Sequence, residues 1–242
     1  MSNRSTSRPP AVLVGLGLFV ALWPILIVHA AYSISVVEDY VPLCNPYWDG
    51  CTSISRAGRH GWANHLFRGA LLPYAALLGL YWWLNQRWLL ASGDRGSRWM
   101  LASGLVGALF MILYVTFLGA EGPTYQLMRR YGINVYFGCT YIAQVLLLGR
   151  LGALAAAGPR SWSRWLVGPL LALLLIVLAM GLLFVAADYG LPLDGDRLQN
   201  TMEWTAALLI QLSILLVALG WRADRLRLSV AATGAEEGLY RN

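Results

Sequence analysis

The sequence predicts an all-α, polytopic membrane protein: one bundle of six transmembrane helices with both termini on the cytoplasmic side. Composition is the first reason. Of 242 residues, 58% are apolar and 12% charged, whereas a soluble domain carries about 25% charged residues. The second is continuity: six apolar stretches each approach the roughly 20 residues that a spanning helix needs. They are Leu/Ala-rich with no alternation of period 2, which favours helices over a barrel. The third is the uneven distribution of arginine between the connecting segments.

The first span is expected at about residues 10–34. It is long for a signal peptide and lacks a clear small-residue cleavage site. Pro24 should kink it, and His29 lies near its outer end. A long loop follows, about 35–65, carrying Cys44 and Cys51. Two cysteines in a Pro/Gly-rich loop on an oxidising face are well placed for a disulfide, whereas Cys139 falls within a span and should stay free. A zinc site is disfavoured, because the lone C-x6-C pair lacks paired Cys/His spacing.

The remaining spans are expected at about 66–89, 98–119, 132–156, 163–187 and 201–221. Gly104, Gly107, Ala108 and Gly138 should let helices approach closely, and Pro169 should kink the fifth span. The tryptophans Trp48, Trp62, Trp82, Trp83, Trp88, Trp99, Trp162, Trp165, Trp204 and Trp221 cluster near span ends and read as interfacial anchors. The chain, 1–242, is thus a single membrane domain with a cytoplasmic tail at 222–242.

Orientation follows from arginine, which supplies all 18 basic side chains; there is no lysine. With the N-terminus inside, the inner segments hold 12 arginines, Arg150 among them, and the outer segments hold Arg56, Arg59, Arg68, Arg129, Arg130 and Arg197. Most acids, including Glu38, Asp49, Glu121 and Glu203, are then outside. The net charge of +6 therefore reads as membrane topology and not as a nucleic-acid surface. The absence of lysine excludes a Schiff-base chromophore, and no cofactor or metal is expected.

Ionisable groups at membrane depth are expensive and usually have a partner or a function. Glu203 opens the sixth span, with Gln211 on the same helical face; Glu121 closes the third; Arg130, Asn134, Gly138 and Tyr141 follow one stripe of the fourth. The run Thr52–His60 joins Ser53 and Ser55 to Arg56 and Arg59, a pattern able to line phosphate. Three readings stay open. Glu203 or Glu121 pairs with Arg129 or Arg130 and fixes helix order. Alternatively a lipid head group is held by His29, Ser53, Ser55, Arg56, Glu121, Arg129, Arg130, Asn134 and Glu203. In the third, His29, His60 and His65 with an acid assist hydrolysis through a metal. Ser53 or Ser55 as nucleophile would need a base such as histidine.

Three motifs resemble the family of the damage-regulated autophagy modulators (DRAM), the FRAG-type GPI lipid-remodelling proteins and the yeast SFK-type proteins. Ile54-Ser55-Arg56-Ala57-Gly58 is similar to the family's I-S-x-x-G in the first loop. Gly132, with Phe137-Gly138 beyond it, resembles the start of its fourth span, and Glu203-Trp204 the E-W or E-Y pair that opens its sixth. Many members place a histidine where this chain has Arg129. The resemblance implies lipid handling, since relatives act in GPI-anchor remodelling, phosphoinositide production, lipid asymmetry and lysosomal autophagy. The arginine-only composition points to a bacterial inner (plasma) membrane, where GPI anchors are absent. The expected function is to bind, and in an enzymatic version remodel by acyl or head-group transfer or hydrolysis, a phospholipid or glycolipid at the outer leaflet. The expected partners are membrane lipids and no nucleic acid. The alternative is a non-enzymatic scaffold or regulator of a partner membrane protein. A transporter is disfavoured, because no inverted repeat or pair of broken helices is apparent.

Overall fold

The computed structural model describes residues 11–157, 161–188 and 195–223. They form α1 (Ala11–Val37), α2 (Ile54–Ala57), α3 (Gly61–Ala91), α4 (Arg98–Thr116), α5 (Pro123–Ala157), α6 (Ser161–Asp188) and α7 (Gly195–Ala223). Among the described residues the chain is all-helical. The expected tail beyond Ala223 lies outside them, as do Arg4 and Arg8.

Five helices are long and apolar enough to cross a membrane: α1, α4, α5, α6 and α7. The protein is thus of the multi-pass helical class. The remaining expected span, the second at about 66–89, corresponds to α3, whose 31 residues are ample in length but carry His65, Arg68, Asn85, Gln86 and Arg87 among many aromatics. Its hydropathy falls because the indole and phenol rings count as polar, although Tyr74, Tyr81, Trp82 and Trp88 are all buried.

The six long helices form a closed ring in the order α1, α3, α4, α5, α6, α7 and back to α1. Side chains of Leu71, Leu78, Trp82, Leu147 and Ile214 fill its interior. Gly104 is needed where α4 passes over the Trp82 indole, and Gly107 where it meets Thr140. Gly138, expected to play the same part, faces open space. Four expected interfacial tryptophans, Trp82, Trp88, Trp204 and Trp221, are instead core residues, each at most 1% exposed. Position near a span end does not tell which way a ring points. Trp48, Trp62 and Trp99 are more than 70% exposed, as anchors should be.

Pro24 removes the donor that would have bonded the Val20 carbonyl, and the core supplies replacements. The Tyr74 hydroxyl donates to Val20 O at 3.2 Å. The Gln211 amide, oriented to satisfy its neighbours, donates to Val20 O at 3.1 Å and Ala21 O at 3.2 Å. A proline in a spanning helix is tolerated where neighbouring helices restore the lost bond in this way. Pro73 within α3 and Pro169 within α6 are further interior prolines.

One end of the ring is closed by the segment 38–60, which is a folded cap and not a loose loop. The Tyr32 hydroxyl donates to Cys44 O at 2.7 Å and accepts from Cys44 N–H at 2.8 Å. Ser35 donates to Ala57 O at 2.6 Å, Asn64 to Gly58 O at 3.0 Å, and Asn200 to Gly50 O at 2.8 Å. Cys44 and Cys51 form a disulfide within the cap, and Cys139 is free. Closing so short a loop restricts the unfolded chain by about 2.5 kcal/mol. The Cys44→Ser/Cys51→Ser variant is therefore expected to unfold at lower temperature than the parent in detergent, with reducing agent lowering the parent to match; an unchanged melting curve would contradict this.

At the opposite end, Arg150 of α5 clasps Asp94 in the α3–α4 connection. Arg150 Nη2 lies 2.6 Å and 2.7 Å from the two carboxylate oxygens, and Nε 2.8 Å from the first. Asp94 also accepts from Gly96 N–H at 2.7 Å. The α3–α4 connection, expected from sequence to carry topology signals, therefore contains a built structural tie.

Candidate functional site

The cap, α4, α5 and α7 bring a polar cluster together at the closed end of the ring. Its frame is α2, a single turn that starts where Ser53 accepts from Arg56 N–H at 3.0 Å. Ser53 thus has a capping role, which is why a serine stands there. Ser55 follows on the turn. Its N–H donates to Glu203 Oε1 at 3.2 Å, and its Oγ is 2.9 Å from the hydroxyl of Tyr114 on α4. Gly132 of α5 makes room for this, since a Cβ there would meet the backbone and Cβ of Tyr114.

Residues from all three sequence motifs thus converge: Ser55 from the cap, Glu203 from α7, and Gly132 through Tyr114. Glycine is the only residue that fits at 132. The Gly132→Val variant is expected to push α5 off α4, lowering stability by roughly 1–3 kcal/mol through overpacking; a melting temperature equal to the parent's would show that α4 and α5 are not this close.

Two guanidinium groups bear on the one carboxylate, and a third bears on one of them. Glu203 lies in the field of Arg59 and Arg56, and Arg59 in that of Arg129. No described carboxylate comes within 4.0 Å of Arg56, Arg59 or Arg129; among the described residues the only such ion pair is Arg150–Asp94. The expected pairing of Glu203 or Glu121 with Arg129 or Arg130 is therefore not formed as a direct bridge. Glu203 instead holds the cap backbone. Arg59 Nε is enclosed and has no hydrogen-bond partner. Burial first, and then the like charge of Arg129, lower the Arg59 guanidinium below its ordinary pKa. Such a group gains from an anion brought to it.

Below the cluster runs a narrow apolar cleft. Tyr114, Ile54, Met111, Phe137, Trp204 and Leu208 are among its walls, and Gln211 lies at its floor. Its free volume is about 50 Å³. His29 and Tyr47 line it as a bonded pair, with Nδ1 of His29 2.6 Å from Ile25 O and Nε2 3.0 Å from the Tyr47 hydroxyl. A carbonyl can only accept, so Nδ1 carries a proton toward Ile25 O, while Nε2 and the Tyr47 hydroxyl share the second hydrogen bond. Burial raises the Tyr47 pKa.

Several sequence candidates lie elsewhere. Glu121, Arg130 and Asn134 are exposed, and the Arg130–Asn134–Gly138 stripe faces away from the cleft. The rotation of α5 puts Arg129, not Arg130, beside the cluster, because consecutive residues diverge by about 100° around a helix. His60 stacks on Tyr40 and His65 lies edge-on to Trp62, each apart from His29. Among the described residues no group of three His, Cys, Asp or Glu side chains is placed to share a metal ion. No histidine is bonded to Ser53 or Ser55; the side-chain partner of Ser55 Oγ is Tyr114. Tyr47 and Tyr114 were not singled out as site residues from sequence, where nothing distinguishes a site tyrosine from a core one.

No family model, curated protein or solved structure matches this chain.

Proposed function

We propose that this protein spans the membrane six times with both termini inside, and that it binds an anionic lipid at its capped outer end. Arg56, Arg59 and Arg129 hold the charged head group, and the apolar cleft receives hydrocarbon. The observation that carries this reading is the charge imbalance: Arg56 and Arg59 bear on one carboxylate, Arg129 adds a like charge beside Arg59, and the carboxylate is committed to the backbone of the cap. A phosphate would satisfy the guanidinium donors in paired geometry. The ring of six long helices supports the span count, since α3 occupies a ring position equivalent to its neighbours. The arginine bias supports the orientation and, with the composition, a bacterial inner membrane.

The meeting of the three motifs at one point also supports kinship with the DRAM, FRAG and SFK-type proteins. In I-S-x-x-G the serine N–H meets the glutamate of E-W, 148 residues away. The glycine of the third motif underlies the tyrosine that the serine hydroxyl touches.

Native mass spectrometry of the purified chain tests the function. Anionic phospholipid should be retained in preference to zwitterionic lipid, and no such preference would refute the reading. Glu203→Gln gives a sharper result. The amide oxygen still accepts from Ser55 N–H, but the competing negative charge is gone, so anionic-lipid affinity should rise about tenfold. Weaker binding in this variant would mean that Glu203 contacts the head group itself.

A further inference from the structure

The walls of the cleft are unequal, and this determines how a lipid could reach it. Residues of α1, α3, α4, α5 and α7 line it, together with Tyr47 and Ile54 of the cap, but no described residue of α6 does. In the ring, α6 is the helix that separates α5 from α7. Its buried residues, among those described, are Leu166, Leu170 and Leu174, with Val167 packed beside them, and Tyr141 donates to Leu174 O at 3.0 Å. From Leu175 to Ala186 none of its residues is buried. Ile133 and Phe137 on α5 and Ala207 and Leu208 on α7 are each only half-buried, so the cleft is open on this side. The other exit, toward the aqueous end, is roofed by the cap that the disulfide and the Tyr32, Asn200 and Trp204 hydrogen bonds hold down.

We propose that the site takes a membrane-resident diacyl anionic lipid, which enters sideways between α5 and α7 and leaves its second chain in the bilayer. This rests on the head-group reading above and adds the route and the lipid class. The open flank decides the class. A chain lying in the slot stays in contact with the bilayer between α5 and α7, where no described α6 residue lines the cleft, so a second chain need not be enclosed. One chain lies along the slot, its neighbour stays outside α5 and α7, and the phosphate meets Arg59 and Arg129 at the slot's upper end. A soluble amphiphile arriving from water would have to cross the pinned cap.

The test uses the full chain in phosphatidylcholine vesicles containing phosphatidylglycerol, with a photoreactive residue introduced as Leu208→benzoylphenylalanine. Phe137→benzoylphenylalanine reports from the facing wall and guards against misfolding at the first position. Ile112→benzoylphenylalanine, on the lipid-facing side of α4, reports ordinary boundary lipid. The slot positions should give adducts with intact phosphatidylglycerol about tenfold enriched over the phosphatidylcholine baseline. Enrichment should vanish in Arg59→Gln/Arg129→Gln and be absent at Ile112. Retention of phosphatidylglycerol without enrichment at either slot position would overturn the lateral route while leaving the head-group reading intact. Preferential capture of lysophosphatidylglycerol added in competition would overturn the diacyl class. Loss of both retention and enrichment would overturn the route and the reading together.

Discussion

Replacing Arg59 and Arg129 together with glutamine is expected to weaken anionic-lipid binding about a hundredfold while leaving the helical bundle folded. A hydrogen bond to a charged group contributes about 1.5–3 kcal/mol, and each 1.4 kcal/mol is a factor of ten. Two lost guanidinium contacts therefore amount to roughly two decades. Folding should survive because neither arginine is engaged in an ion pair within 4.0 Å of a described carboxylate. Relieving the crowding of Arg59 by Arg129 should offset part of any packing loss. Lipid titration followed by native mass spectrometry supplies the affinity, and thermal unfolding in detergent supplies the control. Affinity within a factor of three of the parent would remove these arginines from the site. The matched Arg130→Gln variant, on the exposed face of α5, should bind like the parent.

Arg129 and Arg130 mark the boundary of what the sequence could convey. That a basic pair stands near the start of a long helix was legible; which of the two turns inward was not, because helix rotation is set by packing. Gly132 against Tyr114 fixes that rotation. The start of α5 was missed for a related reason. The helix begins at Pro123, nine residues before the expected span, because Thr124, Gln126, Arg129 and Arg130 hide it from a search for apolar runs. The early start of α7 at Gly195 has the same cause. Long apolar segments, by contrast, were readable because burial in lipid imposes its composition on every turn.

The site shows the same division. Ser55 and Glu203 were singled out by residue type and place, Ser55 in a run of hydroxyls and arginines and Glu203 at the opening of the last span, and the motif resemblance points to them again. Trp204 was assigned to the wrong class. An indole near a helix end reads as an anchor, yet this one is 1% exposed, and only the fold reveals what it touches. The cap explains the difference. It returns over the bundle and buries residues that would otherwise reach the interface.

Trp204→Ala is accordingly expected to produce the largest stability loss of any substitution considered, about 4 kcal/mol. Truncating a buried tryptophan to alanine costs about 3–5 kcal/mol through lost contacts and the cavity left behind. Here a hydrogen bond is lost as well, from Trp204 Nε1 to Thr52 O at 2.9 Å. The indole also packs edge-on against three rings: His29 at 5.4 Å, Tyr47 at 5.6 Å and Tyr32 at 5.8 Å between centroids. Tyr32 holds Cys44, and Tyr47 holds His29. Removing the indole therefore loosens α1, α7 and the cap together. Trp204→Phe should retain most of the packing and lose the hydrogen bond, costing about 1–2 kcal/mol. The decisive readout is local as well as global. Amide exchange across residues 44–58 should rise in Trp204→Ala well before the bundle unfolds, because the cap is held by side chains from helices it does not belong to. If those amides stay protected while overall stability falls, Trp204 is a core filler only, and the cap draws its order from Tyr32, Asn200 and the disulfide.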